Sequence, residues 1–366
     1  SCDLDTSLKV NSGRSKVHSD ELWPAGSAVD LTNLPPHINQ DKLDQVLSDA
    51  FMEPDSTSLL RTRAIVIAYD GQIIAERYTS PIDENTPLLG WSMSKSVTNA
   101  LVGILVKQGR LRVDSPVPVP EWQQPGDPRR YITFDQMLRM TSGLQFEESY
   151  KNPLSDVTVM LFGKQDAAAF AAAKPLVHDP GTKWYYSSGT TNIISEALRK
   201  VIGDNYINYL RFPYQELFEK VGMTSALFET DGEGTFVGSS FLYASARDWA
   251  RFGLLYLHDG MWNDEQILPE NWVDYSRTRT RISRSQRYGA HFWLPSANPS
   301  KKENYGPIPS DLFYLAGHYG QYVSIIPSAK LVVVRLGQSD NSDAWNQNEF
   351  LGKILEAINY NSTEHS

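Results

Sequence analysis

Hydrophobic and polar positions follow two periods along this chain, and the places where the period changes divide it into segments. From 61 to 79, RTRAIVIAYDGQIIAERYT sets two β-branched apolar runs around Asp70-Gly71. That pair tolerates the positive φ of a tight turn, so the stretch predicts a hairpin that opens an antiparallel sheet. In GWSMSKSVTNALVGILVKQGRL, 90 to 111, Val97, Leu101, Ile104 and Leu105 fall at helical spacing, with Gly109 as a stop. A buried helix therefore follows the hairpin. Residues 112 to 235 lose the strand pattern: the Pro-rich SPVPVPEWQQPGDPRR and the alanine-rich DAAAFAAAKPLVHDPG predict loops and helical patches. SARDWARFGLLYLHDG, 245 to 260, is amphipathic, with Trp249, Phe252, Leu255 and Tyr256 on one side. Strands return in QYVSIIPSAKLVVVRLGQ, 321 to 338, a hairpin turning at Pro327-Ser328, and NEFLGKILEAINY predicts a closing helix.

Strands, helix, helical insert, strands and a final helix make an α+β fold whose antiparallel sheet draws on both ends of the chain. The expected organisation is an N-terminal arm over 1–50, carrying WPAG and LPPH, and a sheet domain from 51–111 and 236–366. A helical subdomain is inserted over 112–235. The cleft between sheet and insert is the place for a site.

Composition narrows the function. The 366 residues are 41% hydrophobic and 21% charged, as in ordinary globular proteins. A net charge of −9 without any basic run argues against a nucleic-acid partner. No apolar stretch reaches the length of about 18 residues that a transmembrane helix requires. The single cysteine, Cys2, excludes an internal disulfide and a cysteine metal site, and the seven histidines lack ligand spacing, so neither metal nor cofactor is expected. Cys2 itself admits two readings. Followed by the polar DLDTSLKVNSGRSKVHSD, it resembles the lipid-attachment cysteine of an exported bacterial lipoprotein; otherwise the chain starts at an arbitrary point and a cytoplasmic address stays open. Nothing in the sequence fixes the oligomeric state.

The chemistry is concentrated at the start of the buried helix. Ser92 and Lys95 lie three apart, on one helical face. A helix start offers free N–H groups and positive potential, which favour a developing anion and disfavour a protonated lysine. A partly buried Lys95 can thus act as a base and Ser92 as a nucleophile. Taken alone the pattern is weak: S-x-x-K occurs about once by chance in a chain this long, and Ser92 could be just a helix cap. Farther on, PGTKWYYSSGTTN contains Tyr186-Ser187-Ser188, a Tyr-x-Ser pattern. A tyrosine hydroxyl beside a lysine ammonium is expected to have a lowered pKa and to relay the proton taken from the serine.

With Ser92-Met93-Ser94-Lys95, ITFDQMLRMTSGL and Tyr186-Ser187-Ser188 in this order, the chain resembles the serine β-lactamase and penicillin-binding superfamily, and more closely its class C-like branch of esterases, peptidases and amide hydrolases. SARDWARFGLLYL, RYGAHFW and GHYGQYVSIIP match further segments of that branch, so the resemblance spans roughly 55 to 358. Within the branch the chain looks most like the 6-aminohexanoate-dimer hydrolases. FEESYKNPLSDV resembles the segment carrying that family's substrate-facing tyrosine, which implies Tyr150, and Trp345-Asn346 falls where that family has Trp-His, which implies Asn346 as a pocket residue and marks a departure.

The branch's third motif, K-T-G, has no lysine counterpart in FYLAGHYGQY. Aligned on the closer family, Leu315-Ala316-Gly317 replaces it and the backbone N–H of His318 faces the cleft; aligned on the lactamases, the donor becomes Leu315. The glycines around His318 favour the first register. The resemblance then implies a serine hydrolase that cleaves a small ester or amide through an acyl-enzyme. Ser92 is the nucleophile, Lys95 and Tyr186 the general base and acid, and the N–H groups of Ser92 and His318 the oxyanion donors. Tyr150, Ser188, Trp293, Gly317 and Asn346 line the substrate. A protonated His318 imidazole would be the stand-in for the missing cation. A β-lactamase or D,D-peptidase using the same residues, and a non-catalytic binding module on the same fold, are the alternatives. Glu147 and Glu148, paired in a loop, read as solvated acids.

Overall fold

The computed structural model describes residues 20–53, 57–203, 205–283, 287–297, 308–340 and 344–360. Cys2, and with it the lipid-anchor reading, lies outside them. In chain order come α1 (Gln40–Phe51), β1 (Thr62–Tyr69), β2 (Gln72–Tyr78), β3 (Leu88–Leu89) and α2 (Ser94–Lys107). Then follow α3 (Phe134–Leu138), α4 (Asp156–Gly163), α5 (Ala167–Ala172), α6 (Ser188–Ile202) and α7 (Tyr206–Pro213). The chain continues with β4 (Leu227–Phe228), β5 (Leu242–Ala244), α8 (Ala246–Leu257), β6 (Met261–Trp262), β7 (Glu265–Gln266), α9 (Trp272–Arg277), β8 (Phe313–Gly317), β9 (Gln321–Ile326), β10 (Leu331–Gly337) and α10 (Gln347–Ala357).

The two hairpins expected from the sequence meet at the centre of a five-stranded antiparallel sheet, order β2-β1-β10-β9-β8, in which β1 from the front of the chain pairs with β10 from the back. Asp70 and Gly71 turn the first hairpin with φ of 47° and 81°. The second turns through Pro327–Ala329 and Lys330, the latter at φ 49°. Side chains alternate between two cores. Ala64, Val66, Ala68, Val332 and Val334 face a core with α2, α8 and the inserted helices, whereas Ile65, Ile67, Leu331 and Val333 face a second one with α1 and α10. Both faces are covered, which is why these strands read as nearly continuous apolar runs.

Two pieces of the expected N-terminal arm have defined places. Trp23 is buried, with Arg251 of α8 donating to the carbonyls of Pro24 and Gly26. Gln40–Phe51 is the helix α1, capped by Asn39 and packed in the second core, so this stretch belongs with the sheet. Leu43, Val46, Leu47 and Ala50 fall at helical spacing, a signal that the reading of 1–50 as an arm passed over.

The helix that carries Ser92 and Lys95 runs through the middle of the larger core: every residue from Ser94 to Leu105 is buried. Its polar side chains must therefore find partners inside the protein. Ser94 Oγ donates to Trp91 O and accepts from Leu242 N, Ser96 Oγ donates to His291 O, and Thr98 Oγ1 donates to Gly238 O. Asn99 is the densest node. Its Oδ1 accepts from Tyr256 Oη at 2.6 Å and Trp272 Nε1 at 2.9 Å, and its Nδ2 donates to Ala290 O at 2.9 Å, joining α2 to α8, α9 and the segment before β8. Replacing Asn99 by the similarly shaped Leu leaves two buried donors without an acceptor, at about 1 to 3 kcal/mol each. We expect urea unfolding of Asn99→Leu to show a loss of about 2 to 6 kcal/mol. A loss within error of zero would mean that α2 is not held by this node.

Candidate active site

Ser92 sits in a 3-10 turn, Trp91–Met93, that leads directly into α2. The residue before it, Trp91, has φ 50°. A bulky residue in the left-handed region costs about 1 to 3 kcal/mol and persists only where its surroundings impose it. Here the indole is held edge-on by Tyr150, His318 and Tyr319, with ring centroids 5.9, 5.4 and 5.9 Å away.

Lys95, one turn along, is buried and donates in three directions: to Ser92 Oγ at 3.1 Å, Ser188 Oγ at 2.9 Å and Ser239 O at 3.0 Å. Burial pulls its pKa down to about 8, against the opposing field of Glu148. Ser188 is the first residue of α6, behind the cap Ser187, whose side chain accepts from Thr190 N. The chain thus brings the starts of two helices together, one carrying the serine and lysine and the other the Tyr-x-Ser pattern.

Tyr186 lies against Lys95, with the ammonium nitrogen 4.8 Å from the ring centroid. Its ring is boxed by Tyr288 at 5.8 Å and Trp293 at 5.4 Å, and its hydroxyl pairs with that of Ser92. The expected lowering of the Tyr186 pKa is not what this geometry produces. Burial, then the fields of Tyr288 and Glu148, hold the phenol well above its ordinary value, and the lysine meets the ring face. Tyr186 is a protonated group at neutral pH.

The register of the third motif follows from strand alternation. Tyr314 of β8 exchanges both backbone hydrogen bonds with Trp293, on the edge away from β9. With a period of two, the N–H of Ala316 points to that outer edge and that of Leu315 points to β9, opposite Val323; His318 follows the end of the strand. Leu315 is thereby removed as an alternative donor. The end of β8 also presses against the serine turn: a Cβ on Gly317 would lie 2.2 Å from Gly90 O, so only glycine allows this approach. Tyr319 and Gly320, at φ 63° and 79°, reverse the chain. Gln321 fixes the turn, donating from Nε2 to His318 O and Gly337 O. The His318 imidazole stacks on Tyr150 at 4.4 Å, and burial lowers its pKa, which takes it further from the cation expected in place of the missing lysine.

Several residues of this cluster carried no clear signal in the sequence. Glu148 is not a solvated acid: its carboxylate accepts from both the N–H and the hydroxyl of Ser188, and burial raises its pKa. His291, at φ 59°, is buried with Nδ1 2.9 Å from Lys95 O and Nε2 3.2 Å from Thr191 Oγ1. Since a carbonyl only accepts, Nδ1 carries the proton. Burial and the neighbouring Lys95 push this imidazole down to about 3, so it is neutral. Glu148 was visible only as one of a pair, and His291 only as a letter in RYGAHFW. Among the described residues no group of three or more His, Cys, Asp or Glu side chains could hold a metal ion, and no helix is long and apolar enough to cross a membrane.

A family model described as Beta-lactamase matches residues 59–354, most of the chain and all of this cluster. The chain belongs to the beta-lactamase family. It is a hydrolase. It is similar to the 6-aminohexanoate-dimer hydrolase of Paenarthrobacter ureafaciens, 25% identical over 251 residues; the match covers 65% of this chain and 62% of that relative, so it spans less than two thirds of the relative's length. Among solved structures the fold resembles a penicillin-binding protein homologue from Caulobacter crescentus (17% identity, TM-score 0.67, covering 90% of this chain and 99% of that one). It also resembles a family VIII carboxylesterase (15% identity, TM-score 0.66, covering 89% and 97%).

In this beta-lactamase-family chain, Ser92, Lys95, Tyr186, Ser188, Tyr150, Trp293, Gly317 and His318 are brought together. Asn346 is not. Its side chain accepts from Glu349 N and caps α10, and the adjacent Trp345 packs in the second core with the Arg335 guanidinium 4.5 Å from its ring. That position lies on the other face of the sheet, so the pocket role implied for Asn346 is replaced by helix capping. The depressed Lys95 pKa is directly measurable: in protein labelled with 15N-lysine, one Nζ, assigned with Lys95→Met, is expected to titrate near 8, whereas exposed lysines titrate near about 10.4. A midpoint for Lys95 among the exposed lysines would show that burial does not control it.

Proposed function

We propose that this hydrolase cleaves a short, neutral carboxylic ester or amide by acyl transfer through Ser92. The observation that carries this reading is the buried Lys95 amine, with a pKa near 8, lying 3.1 Å from the Ser92 hydroxyl. At that distance and proton affinity Lys95 takes the serine proton directly as Ser92 Oγ attacks the carbonyl carbon. The oxyanion forms between the N–H groups of Ser92 and His318, where the Gly90–Gly317 approach narrows the cleft. Tyr186, protonated at rest, hands its proton to the departing alcohol or amine; because the Lys95 ammonium faces its ring and not its oxygen, the proton that restores the phenol passes from Lys95 through a water that enters as the leaving group departs. A second water then gives its proton to Lys95 and attacks the acyl carbon; as the Ser92–acyl bond breaks, the Lys95 ammonium returns that proton to Ser92 Oγ, and the carboxylic acid product leaves. Tyr150, Trp293 and Gly317 form the walls. The Tyr150 hydroxyl is buried, with Ser240 and Ser188 as its polar neighbours.

The preference for a neutral substrate follows from the sheet edge. β8 and His318 supply no lysine, and the imidazole is held neutral by burial. A charge-assisted hydrogen bond to a substrate carboxylate contributes about 1.5 to 3 kcal/mol. Without one, anionic β-lactams lose roughly 30-fold in transition-state binding relative to an enzyme that has it.

A fluorophosphonate is expected to label Ser92, and Ser92→Ala to lose label and turnover together. A label on another serine would overturn the assignment, and a folded wild type that takes no label would favour a binding module. Lys95→Ala and Tyr186→Phe should each lower kcat on p-nitrophenyl butyrate at least about 100-fold with unchanged circular dichroism. Near-normal kcat in Tyr186→Phe would remove the phenol from the mechanism.

The same ester should exceed nitrocefin in kcat/KM, and as pH falls from about 7.5 to about 6 the ratio should move toward nitrocefin less than an imidazole of ordinary pKa would move it, because burial lowers that of His318. Nitrocefin turnover above the ester would favour a β-lactamase.

A further inference from the structure

One carboxylate lies within the serine and lysine cluster without a part in the steps above. Glu148 Oε2 accepts from Ser188 N at 2.7 Å, and Oε1 accepts from the Ser188 hydroxyl. That hydroxyl has one proton, and it is committed to Glu148. Toward Lys95, Ser188 is consequently an acceptor only, as is the carbonyl of Ser239. A neutral amine has two N–H groups and one lone pair. Two obligate acceptors take the two N–H groups, and the lone pair is left facing the third neighbour, Ser92 Oγ. A Ser188 hydroxyl free to rotate could instead donate to Nζ and occupy the lone pair on which proton abstraction depends.

We infer that Glu148 is the positioning residue of the catalytic base: by holding the Ser188 proton it aims the Lys95 lone pair at Ser92. This rests on the reading of Lys95 as the base. Glu148 also acts through charge. The groups that face it are Lys95 from α2, Ser188 from α6, Tyr150 from its own loop, and Tyr186 and Tyr288. Of these only Lys95 is a cation. Behind Lys95 stands His291, which is neutral. The Glu148 anion raises the proton affinity of Lys95, so removing it makes the free base available at lower pH.

The test is the pH profile of kcat/KM on p-nitrophenyl butyrate for wild type, Glu148→Gln and Glu148→Asp, with fluorophosphonate labelling of each. For Glu148→Gln the expected result is a plateau lowered about 10-fold or more, since the base loses its aim, together with an acid limb moved down by roughly one unit. Glu148→Asp keeps the charge but not the reach: its limb should stay at the wild-type position while its plateau falls. A carboxylate that merely caps α6 would lower melting temperature or plateau without moving the limb of Glu148→Gln, and that result would overturn the proposal. So would a plateau in either variant equal to the wild type. Should Glu148→Gln not fold, Glu148→Asp alone decides through its plateau. If folded wild type itself takes no label on Ser92, the reading of the site as a whole fails, an outcome distinct from a labelled wild type with an indifferent Glu148.

Discussion

Everything at this site depends on keeping an amine out of water. Lys95 is almost wholly buried, and the cost of removing an ammonium from solvent is what brings its pKa down toward 8. A buried amine must also have its hydrogen-bonding capacity met, and the three oxygens around Nζ come from three separate parts of the chain: the turn before α2, the start of α6 and the loop before β5. Holding those oxygens within about 3 Å of one nitrogen is a demand on the whole fold. Exposing the lysine would remove both the demand and the chemistry.

The demand is met by making α2 a buried helix with polar side chains on several faces. Ser94, Ser96, Thr98 and Asn99 each reach a different neighbour, so the helix cannot rotate or slide without breaking several buried hydrogen bonds at once. His291 adds a bond to the carbonyl of Lys95 itself and a second to Thr191 on α6, linking the two helix starts from below. It does so from a left-handed backbone conformation that a non-glycine residue adopts at a cost, which indicates that the link is worth more than the strain.

The large elements were legible in the sequence because both hairpins, α2, α8 and the closing helix bury whole faces and so imprint a period. Asp70-Gly71 marked its turn by chemistry alone. Ser92, Lys95 and Tyr186 were legible as a motif, and their assembly into one cluster is visible in the structure. What the sequence hid has a common physical character. The role of Glu148 depends on the dielectric around it, which the letters EE cannot show, and the ordinary expectation for paired loop acids pointed to solvent. Tyr186 was misjudged for the same reason: the effect of a nearby lysine on a phenol depends on whether the cation meets the hydroxyl or the ring face. Asn346 was placed by alignment with a pocket residue, yet the packing of Trp345 with Arg335 puts it across the sheet. The register at Leu315 or His318 was open in one dimension; the pair of hydrogen bonds between Tyr314 and Trp293 turns the Leu315 N–H toward β9, which supports His318 as the proposed donor.

The protonation states that result are complementary. Lys95 is lowered, Tyr186 and Glu148 are raised, and burial is the leading cause in all three. Burial always favours the neutral form, so one environment moves a base and two acids toward each other in proton affinity. A base that is too strong holds its proton at neutral pH and cannot accept another; an acid that is too strong has already lost the proton it must donate. Drawing the amine down while keeping the phenol up leaves a free base and a proton donor side by side at mildly alkaline pH. Because the lysine meets the Tyr186 ring and not its oxygen, its charge does not undo the second half of that arrangement. Among the described residues β8 brings no lysine to this edge, and a second cation there would pull the phenol down; the proposed role of Tyr186 as an acid uses the raised value that remains.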